Sequence, residues 1–314
     1  MNASARQKIL QIITDIKMLH PKLQFLTDTL KGKLSTFTTI KMEERGADYW
    51  RTQALSDALI RVRIFVENNL SYIETLGVLS LCRYTFELVV WLKHMEMDHR
   101  FALIYARMLI KQQTQLYDDL VKHLRREIDL YNSLAEEEKT AHTSVLGAAA
   151  AAGQSADPTA IGRRISEDMH AASDHIDEKL ALQFAIYSSE IKHNGYGFQA
   201  HLIETQALPQ ALDYFEKNDE SLTKFNNQWA ATISELKLKE WKWNARAAHV
   251  DMASEYDFIY SYTSRLLHAT PASLTTDQKS LEDEEAFLLL RYVCTQFRWI
   301  IQHAEARVVQ QTIH

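Results

Sequence analysis

The sequence predicts an all-α protein, a multi-helix bundle of about ten helices. Two observations carry that expectation. Glycine and proline are scarce, with 8 and 4 residues among 314, and turn-rich β architectures rely on both. Apolar residues recur at helical spacing, as in Ile9, Ile12, Ile13 and Ile16. A hydrophobic share of 46% and a charged share of 24% are those of an ordinary globular chain, and the length allows a sizeable core. No period of 20–50 residues repeats, which argues against a solenoid.

Taken in order, the first 40 residues read as two helices separated at His20-Pro21, because proline suits a first helical turn. From 48 to 94 the pattern stays helical, with Leu55, Leu59, Val62 and Val66 on one stripe and breaks near Asn68-Asn69 and Gly77. The stretch 79–91 is apolar around most of its circumference and reads as a buried central helix. A helix over 99–128 follows, and Ser133-Leu134-Ala135-Glu136 reads as a capping box that starts a short one. The alanine run and glycines of 145–162, with Asp157-Pro158, read as a linker or mobile loop. Beyond it come a long polar helix over 158–192, a turn at His193-Asn194-Gly195, and helices near 208–217, 219–238, 244–252, 255–268 and 276–310.

The domain reading is an N-terminal helical part, 1–140, a linker, 141–162, and a C-terminal helical part, 163–314, packed together as one bundle. The polar, alanine-rich insertion near 140–175 is expected to project or to be mobile. The helices near 79–94 and 255–268 are expected to pack against each other.

The net charge of −6 supplies no global basic field to gather nucleic acid. Lys122, Arg125 and Arg126 form a local basic patch that reads as a solvated helix face. Cys82 and Cys294 lack metal-type spacing and read as small buried hydrophobes in a reducing compartment. No uninterrupted apolar run approaches the roughly 18 residues of a membrane span. The run from Phe86 to Leu92 contains Glu87 and stops at Lys93. With an amphipathic N-terminus in place of an apolar signal core, the expectation is a cytoplasmic protein with no membrane partner.

Two helical groups are candidate site residues. Arg83 and Glu87 lie four apart on one face of an apolar helix, where charges are costly unless paired or open to a cleft. Their bland reading is a structural ion pair. Tyr260, Ser264 and His268 are also spaced by four, and His268 falls at a helix C-terminus, where it could act as acid, base or anion ligand. Its bland reading is a histidine bonded to a core hydroxyl or carbonyl. Trp241-Lys242-Trp243 could stack on a base or partner, or anchor a helix on the core.

The stretch from Trp243-Asn244-Ala245-Arg246 through Tyr256, Tyr260, Ser264 and His268 to Pro271-Ala272-Ser273-Leu274 resembles the signature of a bacterial and archaeal helical family defined only as a domain of unknown function. Arg83-Tyr84-Thr85-Phe86-Glu87 resembles that family's Arg-x-x-x-Glu helix. The resemblance covers two thirds of the chain and departs from the pattern at 136–177. It implies that Arg83, Glu87, Ser264 and His268 meet across the fold.

Ribonucleases of the HEPN type pair an arginine with a histidine after a gap of four to six residues. Arg164/His170, Arg298/His303 and Arg307/His314 have such spacing, but among 13 histidines matches of this kind arise by chance. The Glu-x-x-His pairs Glu96/His99, Glu167/His170 and Glu190/His193 suggest a di-iron bundle, yet 167 and 190 read as one helix and would lie too far apart. Glu167, His170, Asp174 and Asp177 read as a solvated acidic face. No metal and no cofactor are expected. Two functions of different class remain: a non-enzymatic binding or regulatory module acting through protein partners or self-association, or a nuclease-like hydrolytic effector, for instance in prokaryotic phage defence, using His268 with Arg83 and Glu87.

Overall fold

The computed structural model describes residues 3–37, 39–68, 75–152, 158–236, 241–267 and 281–310. Among them there are helices and turns and no strand. The first helices are α1 (Ala3–Lys17), α2 (His20–Leu34), α3 (Ala47–Asn68), α4 (Thr75–Met97) and α5 (Phe101–Ala152). They are followed by α6 (Pro158–Ala181), α7 (Ile191–Asn194), α8 (Tyr196–Leu202) and α9 (Leu208–Glu235). The last are α10 (Trp243–His249), α11 (Ala253–Glu255), α12 (Ser261–Leu267) and α13 (Asp283–Gln310). Wider π-helical turns at Ile203–Ala207 and Tyr256–Tyr260 join α8 to α9 and α11 to α12. Pro21 sits in the first turn of α2, as its locked φ and missing N–H dictate. Gly195 takes φ +72° between α7 and α8, a conformation open to glycine at little cost.

The chain forms two compact units, one of Met1–Leu109 with Thr223–His314 and one of Ile110–Leu222. The expected boundary at 141–162 is therefore replaced by divisions inside α5 and α9. Alanine and glycine content reports local stiffness, whereas a unit is set by which residues share a core. Here Val121 to Leu134 share theirs with residues as distant as Ala211. The capping box at Ser133 does not start a helix either, because α5 runs through it. The buried series Val121, Leu124, Ile128, Tyr131 and Leu134 keeps the helical period across that point and leaves Ser133 exposed. The same happens at 217–219, where α9 is continuous. Residues 153–157, inside the expected linker, lie outside the described residues, while its flanks belong to α5 and α6.

In the first unit α4 is the central element. It packs against α3, α10, α13 and the helical segment of 253–267, as its all-round apolar surface demands. Leu79, Cys82, Phe86, Val89 and Val90 are buried with Leu290, Val293, Phe297 and Ile300 of α13. By length and composition α4 could cross a membrane, yet half of its most apolar window is buried within this unit.

The second unit contains an antiparallel pair, α5 and α6. Lys179 is ion-paired with Glu137, His142 Nε2 lies 3.3 Å from Ser173 Oγ, and Val145 and Ala149 face Ile161 and Ile165. A methyl group placed at Gly147 or Gly162 would meet nothing within 4 Å. Gly147→Ala and Gly162→Ala are each expected to stabilise this pair by up to about 1 kcal/mol through helix propensity. Slower amide exchange in the flanking helical turns would register the gain, and faster exchange would refute it.

Candidate functional site

The apolar helix α4 carries the two predicted charges at its edge. Arg83 Nε donates to Glu87 Oε1 at 3.1 Å, and the two side chains are 26% and 27% exposed. Burial pushes the Glu87 carboxyl above its ordinary range, and Arg83 pulls it back. Arg83 also reaches Tyr260, donating from Nη2 to its hydroxyl at 3.3 Å with the guanidinium 4.8 Å from the ring centre.

Tyr260 is placed by the π-helical turn, in which the Tyr256 and Tyr260 rings stack at 4.9 Å. Both rings also meet Phe86 of α4. Ser264 Oγ, one turn later, is buried and hydrogen-bonded to none of the described residues. His268 lies outside the described residues. The structure thus joins Arg83, Glu87 and Tyr260, and Ser264 makes no hydrogen bond to that group.

An aromatic seam continues along α4. Trp241 lies flat on Trp91 at 3.5 Å, and Trp243 meets both Trp241 and Tyr260. These tryptophans anchor the 241–249 segment on the core. Beneath them His94 is fully buried, with Nε2 bonded to the Arg246 carbonyl at 3.0 Å and Nδ1 without a partner among the described residues. That bond makes Nε2 the protonated nitrogen. His94 also stacks on the exposed His249 at 5.2 Å. Burial pushes the His94 pKa down to about 4, with Arg246 and His249 adding repulsion to a second proton. Sequence reasoning missed His94, although its place four residues after buried Val90 marks it as facing inward.

The two arginine–histidine pairs within the described residues do not converge. Arg298 faces Asp15 at 3.7 Å, whereas His303 faces Glu96 at 3.6 Å, since five residues turn a helix through about 140°. Burial lowers the His303 pKa, opposed by Glu96 and assisted by Arg51 and Arg307. Arg164 is paired with Asp168, while His170 bonds the Ser166 carbonyl. His314 lies outside the described residues. Glu167 and Glu190 are on separate elements, because α6 ends at Ala181 and Glu190 belongs to a 3-10 turn. No group of three metal-type side chains forms among the described residues.

In the second unit Glu127 is the buried charge that sequence reasoning also missed. It accepts from the backbone N–H of Ile186 at 3.0 Å and Tyr187 at 2.7 Å, and from the Tyr131 hydroxyl at 2.7 Å. His123 Nε2 lies 3.2 Å away. The carboxylate thereby anchors the end of the 182–187 segment at Ile186 and Tyr187, and upstream of that anchor Leu182 and Phe184 are 86% and 83% exposed. A cleft of about 540 Å³ beside Phe184 is lined by His123, Arg126, Leu130 and Ser133.

No family model matches this chain, and no curated protein or solved structure matches it either.

Acid should loosen the first unit through His94. Its folded-state pKa of about 4 lies below the ordinary 6.5, so the unfolded chain takes the proton first. Stability is expected to fall by about 3 kcal/mol as pH drops from about 6.5 to about 4. His94→Gln keeps a donor for the Arg246 carbonyl and cannot titrate, so its pH profile should be flatter. Urea melts across that range would show this, and parallel profiles for the two proteins would refute it.

Proposed function

We propose that this chain is a non-enzymatic helical binding or regulatory module acting through protein partners or self-association. The observation that carries the reading is the Leu182–Ile186 loop. Two large apolar side chains stand almost fully in water on a segment whose end, at Ile186 and Tyr187, is anchored by a buried carboxylate. Exposed apolar side chains on a pre-ordered segment make a contact surface with little ordering entropy left to lose on binding. The state of Arg83 supports the same reading, since its guanidinium is already engaged by Glu87 and Tyr260.

The second reading is a nuclease-like effector using His268 with Arg83 and Glu87. In its favour stands the Glu87 carboxyl, partly exposed and raised above its ordinary range by burial, a group of the kind that accepts protons. The resemblance to the helical family of unknown function is compatible with either proposal.

The Leu182→Ser/Phe184→Ser pair should leave helicity intact, because neither side chain is buried, with stability changed by no more than about 0.5 kcal/mol. It is expected to abolish self-association in sedimentation, or recovery of the partners crosslinked to the wild type. A purified protein that cleaves RNA and loses that activity on His268→Ala with its fold intact would instead establish the effector reading. Glu127→Ala strands two backbone donors and should cost about 3 kcal/mol. Faster amide exchange at Ile186 and Tyr187 would report it, and unchanged protection there would remove Glu127 as the anchor of the loop.

A further inference from the structure

Arg51 of α3 is a partly buried cation whose Nε is buried without a hydrogen-bond partner, and it makes no ion pair with any described residue. A buried donor that lacks an acceptor points to a water or an ion that supplies one. Around Arg51 stand charges from three helices. Asp48, one turn earlier on α3, pairs with Arg307 of α13 at 2.8 Å. His303, one turn before Arg307, has its Nδ1 3.6 Å from Glu96 of α4. Arg51, Arg307 and Glu96 all act on the charge of His303, and Arg307, Asp48 and Glu96 all act on that of Arg51, so the five side chains form one group. Trp299 closes one side of it, its ring flat on His303 at 5.3 Å, and Lys93 brings a further cation to 5.9 Å from the centre of that ring.

The group is uneven, with basic side chains inside and carboxylates at the rim. Arg307 and His303 are 11% and 9% exposed, whereas Asp48 and Glu96 are 76% and 52% exposed. Water and salt screen the charges at the rim, so the inner ones are poorly compensated. Arg51 registers the imbalance. Burial lowers its pKa most and repulsion from Arg307 next, each outweighing the attraction of either carboxylate. The chemistry of the donors selects the occupant. A guanidinium presents its N–H groups as a planar fork that matches the oxygens of phosphate and sulfate two at a time. Two such forks on different helices suit a tetrahedral ion of two charges better than a planar carboxylate of one.

We infer that Arg51 and Arg307, with His303 beside them, bind a small tetrahedral oxyanion of the phosphate class. The anion takes the unpaired donors of Arg51 and shares Arg307 with Asp48. His303, when protonated, adds a third donor. The site belongs to the first unit and uses none of the Leu182–Ile186 loop, so it and the proposed binding role fail separately.

The test uses the full chain with inorganic phosphate and sulfate as probes, in chloride buffers of matched ionic strength. Titration calorimetry should show saturable binding of both ions, and acetate should bind at least about tenfold more weakly. Arg51→Gln removes the unpaired cation and should weaken phosphate at least about tenfold, with circular dichroism checking the helices. Asp48→Asn changes an exposed position and frees Arg307 from its carboxylate, so it should tighten phosphate by about threefold or more. Loss at one position and gain at the other is a pattern that a purely structural cluster would not give. Methyl phosphate in a parallel titration separates two sources of the same chemistry. Affinity equal to that of phosphate assigns the site to a phosphoryl group carried by a larger molecule, and markedly weaker binding assigns it to the free ion. No saturation by phosphate or sulfate at tens of millimolar would overturn the proposal. So would equal affinities in the wild type and Arg51→Gln, or weaker binding in Asp48→Asn.

Discussion

An apolar helix of 23 residues has to bury a wide part of its circumference, and α4 imposes that requirement on the whole first unit. α13, the segment of 253–267, α3 and α10 pack against it, while Leu76, Tyr84 and Met97 stay exposed. The few polar groups that α4 carries are handled individually. Arg83 and Glu87 neutralise each other at the edge, and the Arg83 guanidinium lies against the Tyr260 ring. His94 stays neutral inside, held through Nε2 by a single backbone carbonyl. These arrangements explain how charged and titratable residues occupy a core helix without large desolvation costs.

The second unit is governed by a different constraint. A buried carboxylate must have its lone pairs satisfied, and Glu127 takes donors from the backbone of a loop and from a tyrosine on its own helix. That need ends α6 at Ala181 and sends the chain back across α5. On the outer side of the loop Leu182 and Phe184 remain 86% and 83% exposed. Side chains that the folding of one unit leaves in water are suited to contacts with another molecule, and the Leu182–Ile186 loop proposed for binding belongs to this unit.

The candidate site near α4 was partly legible from spacing. Four residues on a helix bring Arg83 and Glu87 together whatever surrounds them, so that pair could be read directly. Its reach to Tyr260, 177 positions along the chain, could not, because the ring is aimed by a π-helical turn. Spacing was also insufficient for Tyr260 and Ser264. Ser264 follows Tyr260 by one ordinary α-helical turn, yet its hydroxyl is buried and makes no hydrogen bond to the described residues. Glu127 was illegible for another reason: in sequence it is one more acid in a polar helix, and its burial is set by residues 59 and 60 positions away.

By itself the sequence determined the helical class, the break at His20-Pro21, the turn at Gly195 and the burial of the 79–91 stretch. Each follows from a local rule: the ring of proline, the absent side chain of glycine, or the period of apolar residues. Tertiary structure alone decided that α5 and α9 run unbroken through local stop signals, that α6 stops early, and that the chain divides inside helices and not at its alanine-rich run. In those places the burial of an apolar stripe, or the pairing of a buried charge, is worth more than the propensity of any single residue, and neither can be counted until the distant partners are in place.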